Sequence, residues 1–395
     1  MGKGAFLTIM NHTDLTLQFG TSDRSRCWKD DTIDRVRGKI PPRGQSDRFY
    51  IEADAGITCL TSPSTVKFKV EEAGKADVHF ANVHIEESNS VYRQIGQYVN
   101  RLMATALIEH GQQDTISIDV VPYPFNWMRE LPGERLLTEL SIPGTHDSGT
   151  YRLGAGLAKC QSLSIEDQLQ AGIRFLDIRC RYVPGEGVLT IHHGATYCML
   201  NFDDVLRQIT GFLQKNNQET VLMMVKQEDS KESGQVFANK VESYLANYAQ
   251  WVYTTPTDSK RPLTLRLRDV RGKIVLLKRY GEGRYGYEIG LGDDTASCGA
   301  AVAYQDIYGA ADSVASKKLP LKLLLEFARE HPHDSLLYLN YVSMSGIATS
   351  PATLATELNA YVEACIRDRT TQRLGVLPMD FPASTLIQRI LNGNL

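Results

Sequence analysis

The part of the chain from about residue 134 onward alternates short apolar stretches with helical stretches, and this alternation limits the possible fold more than any other feature. Eight stretches have strand character; they span residues 138–142, 174–181, 188–193, 220–226, 273–279, 301–306, 335–341 and 375–380. Helical stretches lie between most of them. One of these begins at Ser164, a good capping residue, and ends at Gly172, a good terminator. Eight strands alternating with helices favour a parallel (β/α)8 barrel of the TIM type.

Residues 1–120 follow a different pattern. Apolar and polar residues alternate with a period of two in several short stretches, for example 5–11 and 65–71, which predicts strands. In residues 90–107 apolar side chains recur at helical spacing, so one helix is expected there. Prolines then interrupt the pattern between 121 and 133. We therefore predict a β-sandwich-like accessory domain over 1–120 with one helix, a linker or structured crossover over 121–133, and the barrel over 134–395.

Composition and charge narrow the classes of partner. The net charge of −3 over 395 residues gives no general attraction to nucleic acid, so we expect no nucleic-acid partner. The seven cysteines contain no C-x-x-C pair and favour reduced thiols over a disulfide framework. No apolar run approaches the ~20 residues that span a bilayer, and the first residues do not resemble a signal peptide. Both a cytoplasmic and a secreted location stay open.

Nearly every predicted barrel strand is followed by, or ends in, a polar residue that can do chemistry. These residues are His146, Asp147, Asp177, Arg179, His193, Lys226, Arg279, Asp306 and Asp380. Taken singly, each has a structural interpretation, such as an Asp177–Arg179 ion pair or a Lys226 that reaches solvent. Barrel enzymes, however, build their sites from the carboxyl ends of different strands. Repetition of the pattern at successive strand ends therefore indicates an active site.

The types of residue in this set point to phosphodiester chemistry. One histidine can remove a proton from an attacking oxygen while a second protonates the leaving oxygen. An arginine can stabilise the charge that builds on the phosphoryl oxygens, since its planar fork matches phosphate. No G-x-x-x-x-G-K-[ST] motif is present, and no G-x-G-x-x-G opens a helix after a strand. The sequence therefore favours acid–base cleavage over nucleotide binding.

The same residues carry a family resemblance. From about Glu134 to the end, the chain resembles the bacterial-type phosphatidylinositol-specific phospholipases C, which share the X-domain barrel of the eukaryotic phospholipases C. The similar motifs occur in order; they are S-I-P-G-T-H-D-S, S-I-E-D-Q-L-Q-A-G-I-R-F-L-D-I-R, I-H-H-G, E-T-V-L-M-M-V-K-Q-E, G-K-I-V-L-L-K-R-Y, Y-Q-D-I-Y and G-V-L-P-M-D-F. One such motif alone would be weak, but seven in the right order form a specific signal.

The resemblance implies a role for each catalytic position. His146 would be the general base toward the inositol 2-hydroxyl, and Asp380 would orient and polarise it. His193 would be the general acid toward the diacylglycerol oxygen, with Asp147 hydrogen-bonded on its side of the site. Arg179 would bind the phosphate. The products would be diacylglycerol and inositol 1,2-cyclic phosphate, which hydrolyses slowly.

The resemblance also implies how substrate is held and which cofactors are needed. Asp177 would balance charge and bind inositol, Lys226, Arg279 and Asp306 would contact inositol hydroxyls, and Tyr308 would stack on the ring. Since Arg179 supplies the cation that calcium provides in calcium-dependent relatives, neither a metal nor another cofactor is expected. Two alternatives stay open: a metal-dependent glycerophosphodiesterase-like barrel, for which the H-R-G start is missing, and a non-catalytic inositol-lipid-binding protein.

The expected partner is a membrane surface or micelle that contains phosphatidylinositol. In the secreted bacterial enzymes an exposed rim tryptophan sits near the stretch that reads S-G-I-A-T-S-P here, where Ile347 is the only apolar candidate of comparable size. Docking on the bilayer would therefore differ. The N-terminal domain lies outside the resemblance. It could be an adaptor for a lipid or glycan ligand, or it could simply pack against the barrel and stabilise it.

Overall fold

A computed structural model describes most of the second part of the chain and a set of shorter ranges in the first. The described residues are 4–11, 16–24, 37–52, 64–74, 80–88, 91–99, 102–107, 113–120, 124–255, 263–280, 283–289, 296–298, 302–307, 313–333, 335–346, 349–366 and 372–394. They form two compact units, Met1–Tyr123 and Pro124–Leu395. Each unit is described by itself below.

The N-terminal unit is built from strands. They are β1 (Gly4–Asn11), β2 (Leu17–Arg24), β3 (Arg37–Ile40), β4 (Phe49–Glu52), β5 (Ser64–Glu72), β6 (Phe80–Ser88), β7 (Val91–Val99), β8 (Leu102–Leu107) and β9 (Gln113–Val120). In the described residues these strands form one sheet, in the order β3-β2-β5-β6-β7-β8-β9-β1-β4. All pairs are antiparallel except β1 with β9. Alternate residues of β2, such as Leu17 and Phe19, are buried.

The helix predicted over 90–107 is wrong, because strands β7 and β8 occupy that range. Strand β7 pairs with β6 along its whole length, from Val91 opposite Ser88 to Val99 opposite Phe80. Its sequence, V-Y-R-Q-I-G-Q-Y-V, is rich in valine, tyrosine and isoleucine, which favour strands, and contains a glycine, which disfavours a helix. Long-range strand pairing therefore overrides a local helical spacing.

The second unit contains the predicted barrel. Its strands are β10 (Ile142–Thr145), β11 (Phe175–Val183), β12 (Val188–His193), β13 (Thr196–Asn201), β14 (Val221–Gln227), β15 (Ile274–Arg279), β16 (Tyr287–Glu288), β17 (Ala296–Cys298), β18 (Val302–Gln305), β19 (Leu337–Asn340) and β20 (Val376–Met379). The main path of the sheet runs β16-β15-β14-β11-β10-β20-β19-β18-β17. Every neighbouring pair on it is parallel except β17 with β18. This curled parallel sheet is a distorted TIM-type barrel, which confirms the barrel predicted for this part of the chain. The sandwich-like arrangement predicted for residues 1–120 stays a prediction.

One predicted barrel strand has a different place. Residues 188–193 form β12 as expected, but β12 pairs antiparallel with β11 and with β13. It therefore belongs to a hairpin that extends β11, and the short strand β16 takes a place in the parallel sheet instead. The reason is local, since only a tight turn of residues 184–187 separates β11 from β12. A parallel connection needs a crossover of about a dozen residues or more.

Helices cover the sheet and complete the unit. They are α1 (Ile165–Gln170), α2 (Phe202–Lys215), α3 (Gly234–Asn247), α4 (Leu267–Val270), α5 (Val314–Glu330), α6 (Pro351–Ile366) and α7 (Ser384–Asn392). As predicted, the Ser164 side chain caps α1 by accepting from the Asp167 amide, and Gly172 ends it with a φ of +109°. Apolar side chains of the strands and of α2 and α3 form one buried core. Among the described residues, no helix is long and apolar enough to cross a membrane.

The predicted linker is structured from Pro124 onward and belongs to the second unit. Residues Pro124–Glu130 form a 3-10 segment in which Trp127 and Met128 are fully buried. Glu219 accepts hydrogen bonds from the backbone amides of Met128 and Arg129. Arg174 in turn donates to Glu219 and to the carbonyls of Pro124 and Phe125. This buried ion pair fastens the segment to the amino ends of the parallel strands.

Candidate active site

A cavity of about 250 Å³ lies at the carboxyl end of the parallel strands. It is lined by His146, Leu157, Cys160, Arg179, His193, Gly194, Lys226, Glu228, Arg279, Asp306, Ser343, Met344, Ser345, Pro351 and Asp380. Seven of the predicted site residues are in this lining. They come from different strands and loops, so the barrel brings together positions that are far apart in sequence. Asp147 and Asp177 are buried behind the lining residues.

The strand β10 delivers the first histidine. Gly144 in β10 sits so close to Phe175 of β11 that a Cβ atom would lie 2.9 Å from the phenyl ring, which explains glycine in the P-G-T-H stretch. His146 follows β10, and its Nδ1 lies 2.8 Å from Oδ1 of Asp380, which follows the neighbouring strand β20. The pair spans 234 positions of sequence. With Nδ1 occupied, Nε2 is the ring nitrogen left for chemistry in the cavity.

The environment shifts the pKa of both members of this pair upward. Burial lowers the pKa of His146, but the charge and hydrogen bond of Asp380, helped by Asp147, outweigh burial and raise it above the ordinary value. Burial also raises the pKa of Asp380, and the opposing effect of His146 does not cancel this rise. His146 therefore holds a proton to higher pH than a free histidine does.

Asp147 connects the two histidines through one buried carboxylate. Its Oδ2 lies 2.7 Å from Nδ1 of His193 and 3.8 Å from Nε2 of His146. The contact with His193 is at ion-pair distance, although its angle falls outside hydrogen-bond geometry. Burial alone would raise the pKa of Asp147, but Arg179 and the histidines hold it well below its usual range. Asp147 is therefore an anion that can attract a proton on either histidine.

The backbone is strained next to both ends of the His146–Asp380 pair. Asp147 has a φ of +44°, and Phe381, which follows Asp380, has a φ of +42°. Residues other than glycine rarely adopt this left-handed region, and such strain persists where the surroundings enforce it. The Asp147 amide donates to Asp177 at 3.3 Å, and the Phe381 amide donates to the carbonyl of Cys160. These contacts hold the strained residues in place.

Arg179 is the central cation of the site. Its Nη2 and Nε donate to Oδ2 of Asp177 at 3.1 and 3.3 Å, and Nε lies 3.4 Å from Oδ1 of Asp147. Burial lowers its pKa, but the two carboxylates more than compensate, so its pKa stays well above the ordinary value. The side chain is 13% exposed and lines the cavity, so part of the guanidinium can meet an anion.

Two further cations extend a row across the sheet. The register places Arg179 of β11 opposite Lys226 of β14, and Lys226 opposite Arg279 of β15. Lys226 Nζ lies 2.7 Å from Glu228, and Arg279 Nη1 lies 3.7 Å from Asp306. Each of these two cations is thus paired with a carboxylate at the cavity wall. Because donors and acceptors alternate along this wall, it suits a ligand with many hydroxyl groups.

Sequence reasoning missed Gln161 as a residue that shapes the site. Gln161 is buried, and its amide donates to the carbonyls of His146 and Met379 at 2.7 and 2.8 Å, so it ties together the strand ends that carry the histidine pair. Because it lies in an irregular stretch, no pattern of the sequence indicates this role. Glu228, which with Lys226 ends the fourth predicted strand, accepts from the Gly194 amide next to His193. Tyr308 and Ile347, predicted above for ring stacking and docking, lie outside the described residues.

Comparison with known proteins agrees with this geometry. The family model for the phosphatidylinositol-specific phospholipase C X domain matches residues 138–280. A 1-phosphatidylinositol phosphodiesterase of Listeria monocytogenes is 33% identical over 287 residues, which cover 68% of this chain and 84% of the relative. A Staphylococcus aureus protein of the same name is 28% identical over 302 residues, which cover 69% of this chain and 94% of the relative.

Solved structures show the same likeness. The phosphatidylinositol-specific phospholipase C from Listeria monocytogenes matches 69% of this chain and 100% of its own with a TM-score of 0.60 and 31% identity. A Staphylococcus aureus structure, whose description refers to membrane binding, matches with a TM-score of 0.61 and 25% identity. Fold and site thus define an X-domain barrel phosphodiesterase. The chain belongs to the family of bacterial phosphatidylinositol-specific phospholipases C.

Proposed function

We propose that this protein cleaves phosphatidylinositol into diacylglycerol and inositol 1,2-cyclic phosphate. The observation that carries the proposal is that two histidines, each beside a carboxylate, and one buried arginine line a single cavity. Membership of the family supports the same substrate class. A non-catalytic lipid-binding protein would have no use for two histidines held in this way.

In the proposed reaction His146 is the general base. Its Nε2 takes the proton of the inositol 2-hydroxyl as that oxygen attacks phosphorus, and Asp380 stabilises the imidazolium that forms. The bond between phosphorus and the diacylglycerol oxygen breaks, and His193 gives its proton to that oxygen. Asp147 is close to both rings and orients His193 for this transfer. One proton is taken and one is given, so the site needs a water only for later hydrolysis of the cyclic product.

Arg179 supplies the positive charge for the phosphate. The charge on the non-bridging oxygens increases as the 2-hydroxyl attacks, and a fixed guanidinium stabilises it most strongly where water is excluded. Asp147 and Asp177 hold the guanidinium from behind. In this proposal Arg179 does the electrostatic work for which calcium-dependent relatives use the metal, so no metal takes part.

Residues further along the wall would bind the inositol ring. Lys226 and Arg279 offer donors, and Asp306 is an acceptor, each already held by an oppositely charged neighbour in the cavity or at its edge. Asp177 is proposed to balance the charge of Arg179 and to take part in inositol binding. Tyr308 keeps its proposed role of stacking on the ring. Donors and acceptors in fixed positions discriminate strongly between hydroxylated ligands.

The mouth of the cavity is proposed to face a lipid surface. Leu157 lines the cavity and is 55% exposed, so it presents an apolar side chain at the cavity. It could enter the headgroup region while a lipid headgroup enters the cavity. The N-terminal unit is a candidate adaptor for a lipid or glycan ligand. Vesicle binding by the full chain, compared with a chain that begins at Pro124, tests this role.

The first experiment is a phosphorus NMR time course with phosphatidylinositol in mixed micelles, with and without EDTA. A cyclic phosphodiester that forms at the same rate in both supports the proposal, whereas loss of product in EDTA would contradict the metal-free mechanism. Replacement of the base, His146→Ala, should lower the rate by about 10³-fold or more, in line with the loss of a general base. A wild-type protein that binds the lipid without product would favour the binding protein instead.

A further inference from the structure

The general base lies next to a cysteine that the proposed reaction does not use. His146, Asp147 and Cys160 offer one ligand atom each, and these atoms all lie within 4.8 Å of one another. An imidazole nitrogen, a carboxylate oxygen and a sulfur are the three ligand types that zinc binds most often in proteins. A cysteine in this place adds a soft ligand, which the reaction with phosphate does not require.

The histidine is already oriented as a metal ligand. Histidines that bind metals usually donate their other ring nitrogen to a carboxylate or a carbonyl, which fixes the ring and its tautomer. Nδ1 of His146 has such a partner in Asp380 at 2.8 Å. Its Nε2 faces Oδ2 of Asp147 at 3.8 Å, a gap that an ion between the two atoms can bridge. The carboxylate that prepares His146 as a base therefore also prepares it as a ligand.

Cys160 sets which ions could bind. The residue is buried, and its sulfur is a soft ligand within 4.8 Å of the ligand atoms of His146 and Asp147. A site with a buried sulfur selects ions that have a strong affinity for sulfur. Zinc, cadmium and cobalt have this affinity, whereas calcium and magnesium prefer oxygen ligands.

The positive charge of Arg179 would repel a metal ion bound in the site. Arg179, however, contacts a different oxygen of the Asp147 carboxylate from the one proposed to bind the ion. Arg179 Nε contacts Oδ1 of Asp147, whereas the proposed ion would contact Oδ2. Oδ2 also lies near Nδ1 of His193, so a bound ion would compete with a proton on that ring. The nearby carboxylates of Asp177 and Asp380 offset part of the repulsion.

We propose that His146, Asp147 and Cys160 form an inhibitory site for zinc and similar soft divalent ions. The bound ion would occupy Nε2 of His146, the atom that has to accept the substrate proton, and release the thiol proton of Cys160 to solvent. The inhibitory effect rests on the proposed function, because it assumes that His146 is the base. Binding of the ion does not rest on it and can be measured in the absence of substrate.

Binding is tested first, with cobalt chloride on the full chain. Ligation by Cys160 should produce a thiolate-to-cobalt charge-transfer band in the near ultraviolet, which zinc added afterwards removes. The band should be lost in Cys160→Ser and in His146→Ala, and should persist in Cys365→Ser, a matched change at a partly exposed free cysteine on α6. A band of the same size in Cys160→Ser, or no band in the wild-type protein, would overturn the proposal.

Inhibition is tested second, with zinc chloride and each variant compared with its own rate in EDTA. The wild-type rate should fall with zinc or cadmium and stay unchanged with calcium or magnesium. Cys160→Ser should need at least about tenfold more zinc for the same fractional loss, since a protein ligand is gone. Equal sensitivity of the serine variant would overturn the proposal. If phosphatidylinositol is not cleaved at all, the proposed function fails, and the cobalt band still decides whether the ion site exists.

Discussion

Two arginines near opposite ends of the parallel part of β11 show that the same kind of side chain stabilises the fold in one place and takes part in the reaction in another. The part of β11 that pairs with β14 runs from Phe175 to Cys180; Arg174 lies just before it, and Arg179 is its last residue but one. Both are next to carboxylates, Glu219 in one case and Asp177 with Asp147 in the other. The two arginines differ in how many of their hydrogen-bond donors are used and in whether the guanidinium can contact a ligand.

Arg174 has no capacity left for a ligand. Its side chain is fully buried, its three nitrogens donate to Glu219 and to backbone carbonyls, and its guanidinium lies 4.6 Å from the centre of the Phe212 ring. Arg179 donates only to Asp177 through Nε and Nη2, and the described residues give Nη1 no partner. A buried charge whose donors are all used stabilises one conformation, whereas a charge with a donor left over is prepared to bind an anion.

The largest expected effect comes from Arg179. Replacement by methionine should lower kcat/KM for phosphatidylinositol by about 10³-fold or more, because the developing phosphate charge loses its main partner. The melting temperature should also fall, because Asp177 and Asp147 are left buried without their cation, so kcat/KM is expressed per folded molecule. Arg181→Met on the same strand is the matched control, since Arg181 pairs with Asp229 and is partly exposed. A loss of equal size in Arg181→Met would mean that activity does not depend specifically on the position of Arg179 in the cavity.

Arg174→Met should lower stability without lowering the activity per folded molecule. The free energy of unfolding should fall by about 3–5 kcal/mol, because Glu219 is left buried without its partner. Denaturant unfolding followed by circular dichroism measures this change, and the activity per folded molecule should stay near that of the wild type. The double variant Arg174→Met with Glu219→Leu should recover part of the loss. If activity falls while stability is unchanged, Arg174 is not structural.

Asp380→Asn should change the pH dependence of the reaction. The base must be neutral to accept a proton, so kcat/KM should fall as pH drops through the pKa of His146, which Asp380 raises. Without that carboxylate the pKa of His146 falls, and the acidic limb of the pH profile should move to lower pH. The maximal rate should also fall, by about 10²-fold, because the imidazolium loses its partner. An acidic limb that stays in place would mean that another group controls it.

The smallest effect is expected at Gln161. Gln161→Leu removes the hydrogen bonds that tie the carbonyls of His146 and Met379, so the histidine pair should be held less well. We expect about a tenfold lower kcat with KM unchanged, since small misplacement of a reacting group is costly. Gln388→Leu is the matched control, because this buried glutamine bonds instead to Asn392 on α7. A purely structural role for Gln161 would lower stability and leave kcat unchanged.

The sequence predicted the barrel because its signal is local. Apolar runs such as residues 220–226 and 273–279 are short and bounded, and the observed strands Val221–Gln227 and Ile274–Arg279 differ from them by one residue at most at each end. Where two local signals compete, sequence alone fails. Residues 90–107 carry helical spacing together with strand-forming residues, and pairing with β6 decides for strands.

The candidate site also has features that the sequence predicts and features that only the tertiary structure shows. Strand ends can be read in the sequence, so His146, Arg179, His193 and Asp380 could be named as site residues together. That Asp380 contacts His146 across 234 positions is visible only once β20 lies beside β10. The contacts of Gln161 and the pair Arg174–Glu219 likewise depend on how distant segments pack. Periodicity and residue type are properties of neighbours along the chain and determine elements and candidate chemistry. Partners, burial and leftover donors are properties of neighbours in space, and only the tertiary structure decides them.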